Sequence, residues 1–495
     1  MRALRNSQLP LVVLGALSAA FASLVAQTAR ADEPVAASEP RLMSETAEVT
    51  SVVDAFDKDD PFDLHLMLGF DQMWKSANIR RETSLFQPGL TTGGFVSRNE
   101  NVATYNQTVS TLNAGADIGL YKDLALVIRV PIILSDSRSL GDLNGSSANP
   151  QRLQDPSGNQ IFSVPFKSPT RSGVDWFSLG LDYAIFNQQR DFTKPTWVVG
   201  VGGRFAIGPS MHACSDTAIA VGPGGGTTRK CPDPVNPTAA DRDPGISRGM
   251  DAINAHTVFS RRFGYVEPYT GLDFLAEFPQ NRGDFGAAND LKGSLVNHPP
   301  LLGSFTMGME VIPYEQKEQF QRLIADFRVI GSYHSAGRDY SELFDALGTS
   351  QAPSLRNPNP GAYHASGSAT GAPSVADPTA EKAYFSGITD QQAYGSVAAR
   401  TSATWQAGEY VKFQAGVGLL FNQSHLVTAA DACNPNFTSD ASQAGPCVGA
   451  VQNGSQTING IPNPNHRAVI DTPGRRFSVD DTTVVDLWVT GVVMF

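Results

Sequence analysis

Apolar and polar residues alternate along most of this chain with a period of two. In the segment 62–70, Phe62, Leu64 and Leu66 fall on one face, whereas Asp63 and His65 fall on the other. This period is typical of a β-strand with one apolar and one polar face. Twelve segments follow the pattern, and they span 62–74, 104–120, 124–134, 175–186, 196–207, 251–260, 266–278, 301–313, 323–335, 393–405, 411–421 and 482–495.

The connections between these segments alternate in length. Short connections such as 121–123 join the members of a pair, whereas long ones such as 135–174 and 336–392 join successive pairs. This alternation is typical of membrane barrels with periplasmic turns and extracellular loops. Because backbone groups in hydrocarbon must pair within the protein, such strands must close into a cylinder. The sequence predicts an all-β, closed antiparallel transmembrane β-barrel over residues 62–495 with twelve strands, or fourteen if 336–392 contains a further hairpin.

One segment departs from regular alternation. In 104–120, Tyr105 and Val109 lie on one parity, whereas Leu112 and Leu120 lie on the other. An extra residue in one strand reverses the parity beyond it. We therefore expect a β-bulge or a change of register within this strand.

The N-terminus has the features of an export signal. Arg2 and Arg5 precede an apolar stretch, and Ala29-Arg30-Ala31 offers the small residues that signal peptidase accepts. We assign residues 1–31 to a signal peptide, the alternative being an uncleaved anchor helix. Residues 32–61 form a periplasmic segment in which the apolar spacing of 45–56 predicts an amphipathic helix. This helix would plug the lumen from the periplasmic side, or the segment is a partly disordered tail.

Composition and charge exclude several classes of function. The 495 residues have a formal net charge of −11 and contain no basic tract, which argues against nucleic-acid binding. Only the N-terminus approaches the roughly 20-residue apolar run that a membrane-spanning helix needs. The chain is therefore expected in the cell outer membrane of a Gram-negative bacterium, surrounded by outer-membrane lipid.

Four cysteines form two local pairs in the long connections, Cys214 with Cys231 and Cys433 with Cys447. An exported chain meets an oxidising compartment, where such pairs close as disulfides. The alternative is zinc binding through thiolates, although the chain has no CxxC motif.

The last strand carries a recognisable ending. Leu487, Val489, Val493 and the terminal Phe495 share one parity. A terminal aromatic residue behind alternating apolar residues resembles the C-terminal strand signature of bacterial outer-membrane β-barrel proteins. The resemblance implies that the barrel-assembly machinery reads Phe495 during biogenesis, and it covers about residues 62–495 without indicating a subfamily.

Charged residues on the polar parity of the strands are candidates for lining the lumen. An open pore would use them to select solutes by charge, whereas a filled barrel would pair them as internal salt bridges. Asp63, Asp71, Glu277 and Asp486 also lie on this parity, and the resulting acidic excess favours cations. The pore-lining candidates are Arg129, Asp182, Arg204, Glu267, Asp273, Glu310, Asp326, Arg328, Arg400 and Lys412.

Evidence for catalysis is weak. His334 and Ser335 loosely resemble the His-x-Ser region of outer-membrane lipid hydrolases, but adjacent residues on a strand point to opposite faces. The remaining histidines show no metal-ligand spacing, and we find no nucleotide-binding glycine motif. We therefore name no catalytic residue, metal or cofactor.

The function predicted from these features is an outer-membrane channel or porin-like transporter for passive diffusion of small hydrophilic solutes. The main alternative is a surface barrel that acts as a receptor or scaffold through its long disulfide-closed loops. A lipid hydrolase is the third possibility.

Overall fold

The computed structural model describes residues 47–56, 62–86, 95–143, 150–220, 228–236, 238–287, 296–356, 384–434, 451–452, 455–456 and 461–495. Twelve long antiparallel strands form the barrel wall, and three short loop strands, Phe166–Lys167, Arg171–Val174 and His425–Leu426, pair with this sheet. In chain order, β1 to β12 span Leu64–Phe86, Phe95–Tyr121, Leu124–Gly141, Trp176–Phe186, Thr196–Ala206, Met250–Ser260, Val266–Pro279, Leu302–Gln316, Gln321–His334, Tyr394–Gly408, Val411–Asn422 and Phe477–Met494.

The sheet closes on itself. Each strand pairs with its neighbours in sequence, and β1 also pairs with β12, with Leu66 opposite Val493 and Asp71 opposite Trp488. Leu64 and Phe495 exchange backbone hydrogen bonds of 2.9 and 3.2 Å at the end of the barrel with the short turns. The closed, twelve-stranded barrel predicted from the sequence is confirmed.

The outer surface of the barrel is apolar. Leu68, Leu181, Phe274 and Val489 are each more than 40% exposed although they lie on regular strands. Aromatic side chains such as Tyr265 are exposed at the short-turn ends of the strands, where interfacial girdles lie. Surface of this composition is stable against lipid and unstable against water. The chain is therefore an outer-membrane β-barrel.

Several strands extend further than the sequence predicted, and the longest extensions lie on the side of the long loops. β1 continues to Phe86 rather than residue 74, and β2 begins at Phe95 rather than residue 104. Outside the bilayer these strands remain paired with each other, but both faces contact water or loops, so the apolar alternation is lost. The expected irregularity in β2 is present, because its pairing with β3 shifts register between Ser110 and Thr111.

The long connections contain short elements. The described part includes helices α1 to α4, which span Asp284–Ala287, Phe344–Gly348, Pro353–Arg356 and Ala468–Asp471, and 3₁₀ turns at Pro150–Leu153 and Lys317–Gln319. The short strands are Phe166–Lys167, Arg171–Val174, Ile219–Ala220, Thr228–Arg229, Gly337–Asp339, Thr389–Gln391, His425–Leu426, Cys433–Asn434, Val451–Gln452, Ser455–Gln456 and Ile461–Pro462. None of the described helices is long and apolar enough to cross a membrane.

These connections fold inward over the extracellular mouth of the barrel. Leu343 and Leu347 from α2 and its flank pack with Ile470 of α4 and with lumen-facing Ile79 and Val479 of β1 and β12. We call this assembly of loops the extracellular cap. It is the largest buried apolar cluster in the described part of the chain, because the barrel wall itself turns its apolar side chains outward.

The disulfide between Cys214 and Cys231 is present in the cap. The second predicted disulfide cannot be compared, because Cys447 lies outside the described residues. The same holds for the signal peptide, residues 1–31. At the described positions of the predicted N-terminal helix, residues 47–56 form a turn followed by extended chain and no helix, because their hydrogen bonds go to the barrel instead.

Candidate functional site: the barrel lumen

The ten predicted pore-lining residues lie on inward positions of the strands. Their neighbours in sequence face lipid: Asp273 lies between exposed Leu272 and Phe274, and Phe327 separates Asp326 from Arg328. The lumen has three levels along the barrel axis. They are a periplasmic level covered by the N-terminal segment, a central chamber, and an extracellular rim beneath the cap.

Carboxylates form a row across the periplasmic level. Glu267 on β7 is opposite Glu310 on β8, and Glu310 is opposite Asp326 on β9. All three are at most 3% exposed. Like charges directly opposite one another are destabilising unless other groups compensate them. Ser260 donates a hydrogen bond of 2.7 Å to Glu267, whereas Tyr269 donates one of 2.6 Å to Asp326.

Basic side chains partly balance this row. Arg328 lies 2.8 Å from Asp326, and Lys412 on β11 is 8% exposed. Arg322, which the sequence analysis did not select, is 1% exposed on β9. The periplasmic level is thus a densely charged, buried layer, which is far more polar than the interior of a soluble domain.

Residues 47–56, which we call the N-terminal segment, cross this level inside the barrel. The Glu48 carboxylate accepts a hydrogen bond of 2.8 Å from Lys412, and its backbone N–H donates one of 2.9 Å to Glu310. Thr50 and Ser260 place their hydroxyl oxygens 2.8 Å apart. The segment therefore contacts β6, β8 and β11, which lie around one side of the periplasmic mouth.

The other end of the N-terminal segment is fixed near the turn between β2 and β3. Ala55 and Lys122 exchange backbone hydrogen bonds of 2.8 and 3.0 Å. Asp54 forms an ion pair of 3.2 Å with Arg190 in the next periplasmic turn. A β-carbon at Gly119 would overlap the Asp54 carbonyl, so glycine is needed for this close approach.

Glu48 is held in its ionised form. Burial acts to raise its pKa, but the Lys412 ammonium and its hydrogen bond outweigh burial and hold the pKa of Glu48 below the ordinary value. The contact between the segment and the wall is consequently charge-assisted at neutral pH.

The central chamber is lined by half-exposed charged side chains. Arg129 forms a two-pronged ion pair with Asp117, and Arg400 pairs with Asp486 while its guanidinium lies 4.9 Å from the centre of the Trp488 ring. The side chains of Arg129 and Arg400 retain 32% and 37% exposure. Packed internal salt bridges would be buried, so these residues face open space.

Asp182, His256 and Asp273 form a second group in the chamber. His256 is opposite Asp273, and its ring nitrogen lies 3.5 Å from an Asp182 oxygen. Asp182 and His256 meet across Gly200 of β5, where a β-carbon would overlap both side chains. Among the described residues Asp71 and Asp273 have no direct ion-pair partner, whereas Arg129 and Arg400 both have one. The chamber therefore carries uncompensated negative charge.

At the extracellular rim, charges link the wall to the cap. Arg204 on β5 and Arg248 both pair with Glu277 on β7, and Arg248 also lies 2.6 Å from Asp339. The rim thereby connects the wall to the loop that follows β9.

Within the cap, Arg171 is fully buried and donates hydrogen bonds of 2.7 and 2.9 Å to the Asp345 carboxylate of α2. Asp345 also accepts a hydrogen bond of 2.9 Å from the Cys214 backbone. One buried ion pair thus joins three separate loop segments.

Two further carboxyl groups of the cap are perturbed. Burial raises the pKa of Asp390 to about 7 despite Arg338 nearby, and burial likewise raises the pKa of Asp471 to about 7. These groups make the cap sensitive to pH near neutrality.

The sequence analysis did not select several lumen residues. Glu48 lies outside the strand pattern, and the bulge in β2 obscures the parity of Asp117. His256 lies within the predicted strand 251–260, but its neighbours Ala255 and Thr257 are too weakly apolar to identify the lumen face. For Asp117, the alternation after Leu112 is a usable signal once the bulge is assumed.

His334 and Ser335 are not arranged as base and nucleophile. The His334 ring stacks on Tyr394 with 4.4 Å between centroids. The Ser335 hydroxyl accepts a hydrogen bond from the Leu301 backbone and donates one to the Ala336 carbonyl. Among the described residues, no group of three or more His, Cys, Asp or Glu side chains is placed to hold a metal ion.

Comparison with known proteins gives only distant matches. No protein-family model and no curated protein matches this chain. An outer membrane channel from Pseudomonas putida F1 is 8% identical with a TM-score of 0.33, covering 87% of this chain and 95% of its own. A FadL homologue from Pseudomonas aeruginosa is 8% identical with a TM-score of 0.31, covering 87% and 90%. The outer membrane protease OmpT of Escherichia coli is 8% identical with a TM-score of 0.25, covering 88% and 96%.

These neighbours are outer-membrane β-barrels of different functions. The likeness is too distant to carry an argument, so the assignment to the outer membrane rests on the strand pairing and the exposed apolar surface described above.

Proposed function

We propose that this protein is an outer-membrane channel for the passive diffusion of small hydrophilic solutes. The observation that carries the proposal is the central chamber, where Arg129, Asp182, His256 and Arg400 stay between 23% and 37% exposed inside a lipid-facing barrel. Ionisable groups at membrane depth are costly and mark solute pathways. A barrel built only for stability would fill this space or bury its ion pairs.

The charge of the chamber supports a preference for cationic solutes. The two arginines are neutralised by neighbouring aspartates, whereas Asp71 and Asp273 remain uncompensated among the described residues. A lumen with net negative charge concentrates cations and repels anions. No catalytic residue is part of this proposal.

Recordings of the purified protein in planar bilayers test the channel. We expect discrete conductance steps and, in a KCl gradient, a reversal potential of the sign given by cation preference. Liposome swelling with neutral sugars provides a second measurement. The channel would be refuted if neither the wild type nor variants that weaken the N-terminal segment showed conductance or swelling.

A second candidate function is a surface receptor or scaffold, and the packed extracellular cap is the observation that favours it. A cap held by a buried ion pair and an apolar cluster presents a defined surface. This alternative predicts a barrel that shows no conductance but binds a partner, and binding would be lost when the cap loops are shortened.

A lipid hydrolase would instead release acyl chains and lose this activity in Ser335→Ala.

A further inference from the structure

The N-terminal segment crosses the periplasmic mouth but is no part of the barrel wall. Its only backbone ladder contact in the described residues is the pair Ala55 and Lys122. Its other end is held by polar contacts of Glu48 and Thr50 with Lys412, Glu310 and Ser260, and by a backbone hydrogen bond from Ala47 to Glu267. We propose that this segment is a gate with its hinge at Ala55 and its latch at Glu48 and Thr50. The proposal rests on the channel function proposed above.

The hinge end is suited to remain in place when the latch opens. Ala55 is fully buried and hydrogen-bonded twice to Lys122, and the Phe56 ring lies 6.3 Å from the Tyr121 ring on the periplasmic rim. Phe56 has a positive φ of 58°, so the chain reverses direction there. Rotation about this end moves residues 47–50 out of the mouth without breaking any strand pairing of the barrel.

The latch end is suited to release. The segment buries one polar side chain there, Thr50, and two small apolar ones, Ala47 and Val53. Small apolar area contributes little to holding the segment in place. When the segment leaves, water enters the mouth and forms hydrogen bonds with Glu310, Lys412 and Ser260 in its place, which offsets part of the cost of opening. The closed position therefore depends on the charge-assisted contact of Glu48 more than on packing.

The gate explains how a lumen that is covered on its periplasmic side can conduct. The segment lies directly over the row of Glu267, Glu310 and Asp326, between the chamber and the periplasm. A solute that leaves the chamber must pass this row. Displacement of residues 47–50 opens the periplasmic side of the path and breaks no strand pairing in the wall.

Two kinds of variant test the gate in bilayer recordings. Glu48→Gln removes the charge of the latch, and we expect open probability to rise about 10- to 100-fold, the range that a hydrogen bond to a charged group contributes. The matched control is Glu318→Gln on the exposed periplasmic turn, which should behave as wild type. The double variant Thr50→Cys with Ser260→Cys places two sulfurs where the hydroxyls are 2.8 Å apart.

The oxidised double variant should show no conductance, and a reductant should restore conductance to the wild-type level. The control is the wild type treated with the same reductant. Heat-modifiable migration in gel electrophoresis verifies that each variant is folded. If the oxidised double variant conducts like the wild type, the gate is wrong but the channel stands. An open probability of Glu48→Gln equal to that of the wild type also contradicts the latch. If no protein conducts, including Glu48→Gln, both the channel and the gate are refuted.

Discussion

The buried ion pair between Arg171 and Asp345 is predicted to control the stability of the extracellular cap. The two side chains are 0% and 5% exposed and joined by two hydrogen bonds, and Arg171 also donates to the His212 and Pro244 carbonyls. Removing one partner leaves the other charge buried without compensation, which costs about 3 to 5 kcal/mol. We therefore expect Arg171→Met to raise the open fraction of the cap by roughly 100- to 4,000-fold.

Hydrogen exchange of the α2 backbone in detergent measures this opening. The Leu347 and Thr349 amides, bonded to the Leu343 and Asp345 carbonyls, are the reporters. The double variant Arg171→Met with Asp345→Leu should recover much of the protection, because it leaves no buried charge. The control is Lys194→Ala, which breaks a half-exposed ion pair worth at most about 1 kcal/mol. The reasoning would be refuted if Arg171→Met were as well protected from exchange as the control. It would also be refuted if the double variant were less protected than either single variant.

Three further predictions follow from the lumen, the cap and the last strand. Asp273→Asn should lower the cation-to-anion permeability ratio about tenfold, because one charge at about 6 Å in water favours cations and disfavours anions by about threefold each. Reversal potentials measure the ratio, Asp191→Asn on an exposed turn is the control, and an unchanged ratio contradicts the prediction. The stability that Asp390 and Asp471 contribute to the cap should be fully present below about pH 4 and be lost as pH rises towards 7, because their raised pKa values mean that the closed cap binds protons that the open cap has released. Asp284 and Glu342, whose pKa values are lowered, act in the opposite direction only at lower pH. Exchange rates corrected for intrinsic pH dependence test the sign, and greater protection at pH 7 than at pH 5 would contradict it. Phe495→Ala should reduce the amount of barrel assembled in the outer membrane, measured as the heat-modifiable band in gel electrophoresis. Phe263→Ala, in the exposed short turn between β6 and β7, should have a smaller effect.

The sequence predicted the barrel well because the signal is local. Alternation along a strand is fixed by backbone geometry, and lipid requires apolar side chains on outward positions. The side chains of Leu181, Asp182 and Tyr183 therefore indicate which positions face lipid and which face the lumen, even when the pairing partners are unknown. The bulge in β2 was readable for the same reason. The extensions of β1 and β2 beyond the bilayer were missed because their apolar alternation ends where lipid ends.

What the sequence determined by itself is therefore the wall: a closed barrel of twelve or fourteen strands, the side chains that face lipid, and many of the charged residues that face inward. The tertiary structure alone decided what lies inside the wall. The contact of Glu48 with Lys412 joins residues 364 positions apart, and that of Arg171 with Asp345 joins residues 174 apart. Neither has a periodic pattern, because partners in the lumen and the cap are chosen by closure of the cylinder and by the charges that closure brings together.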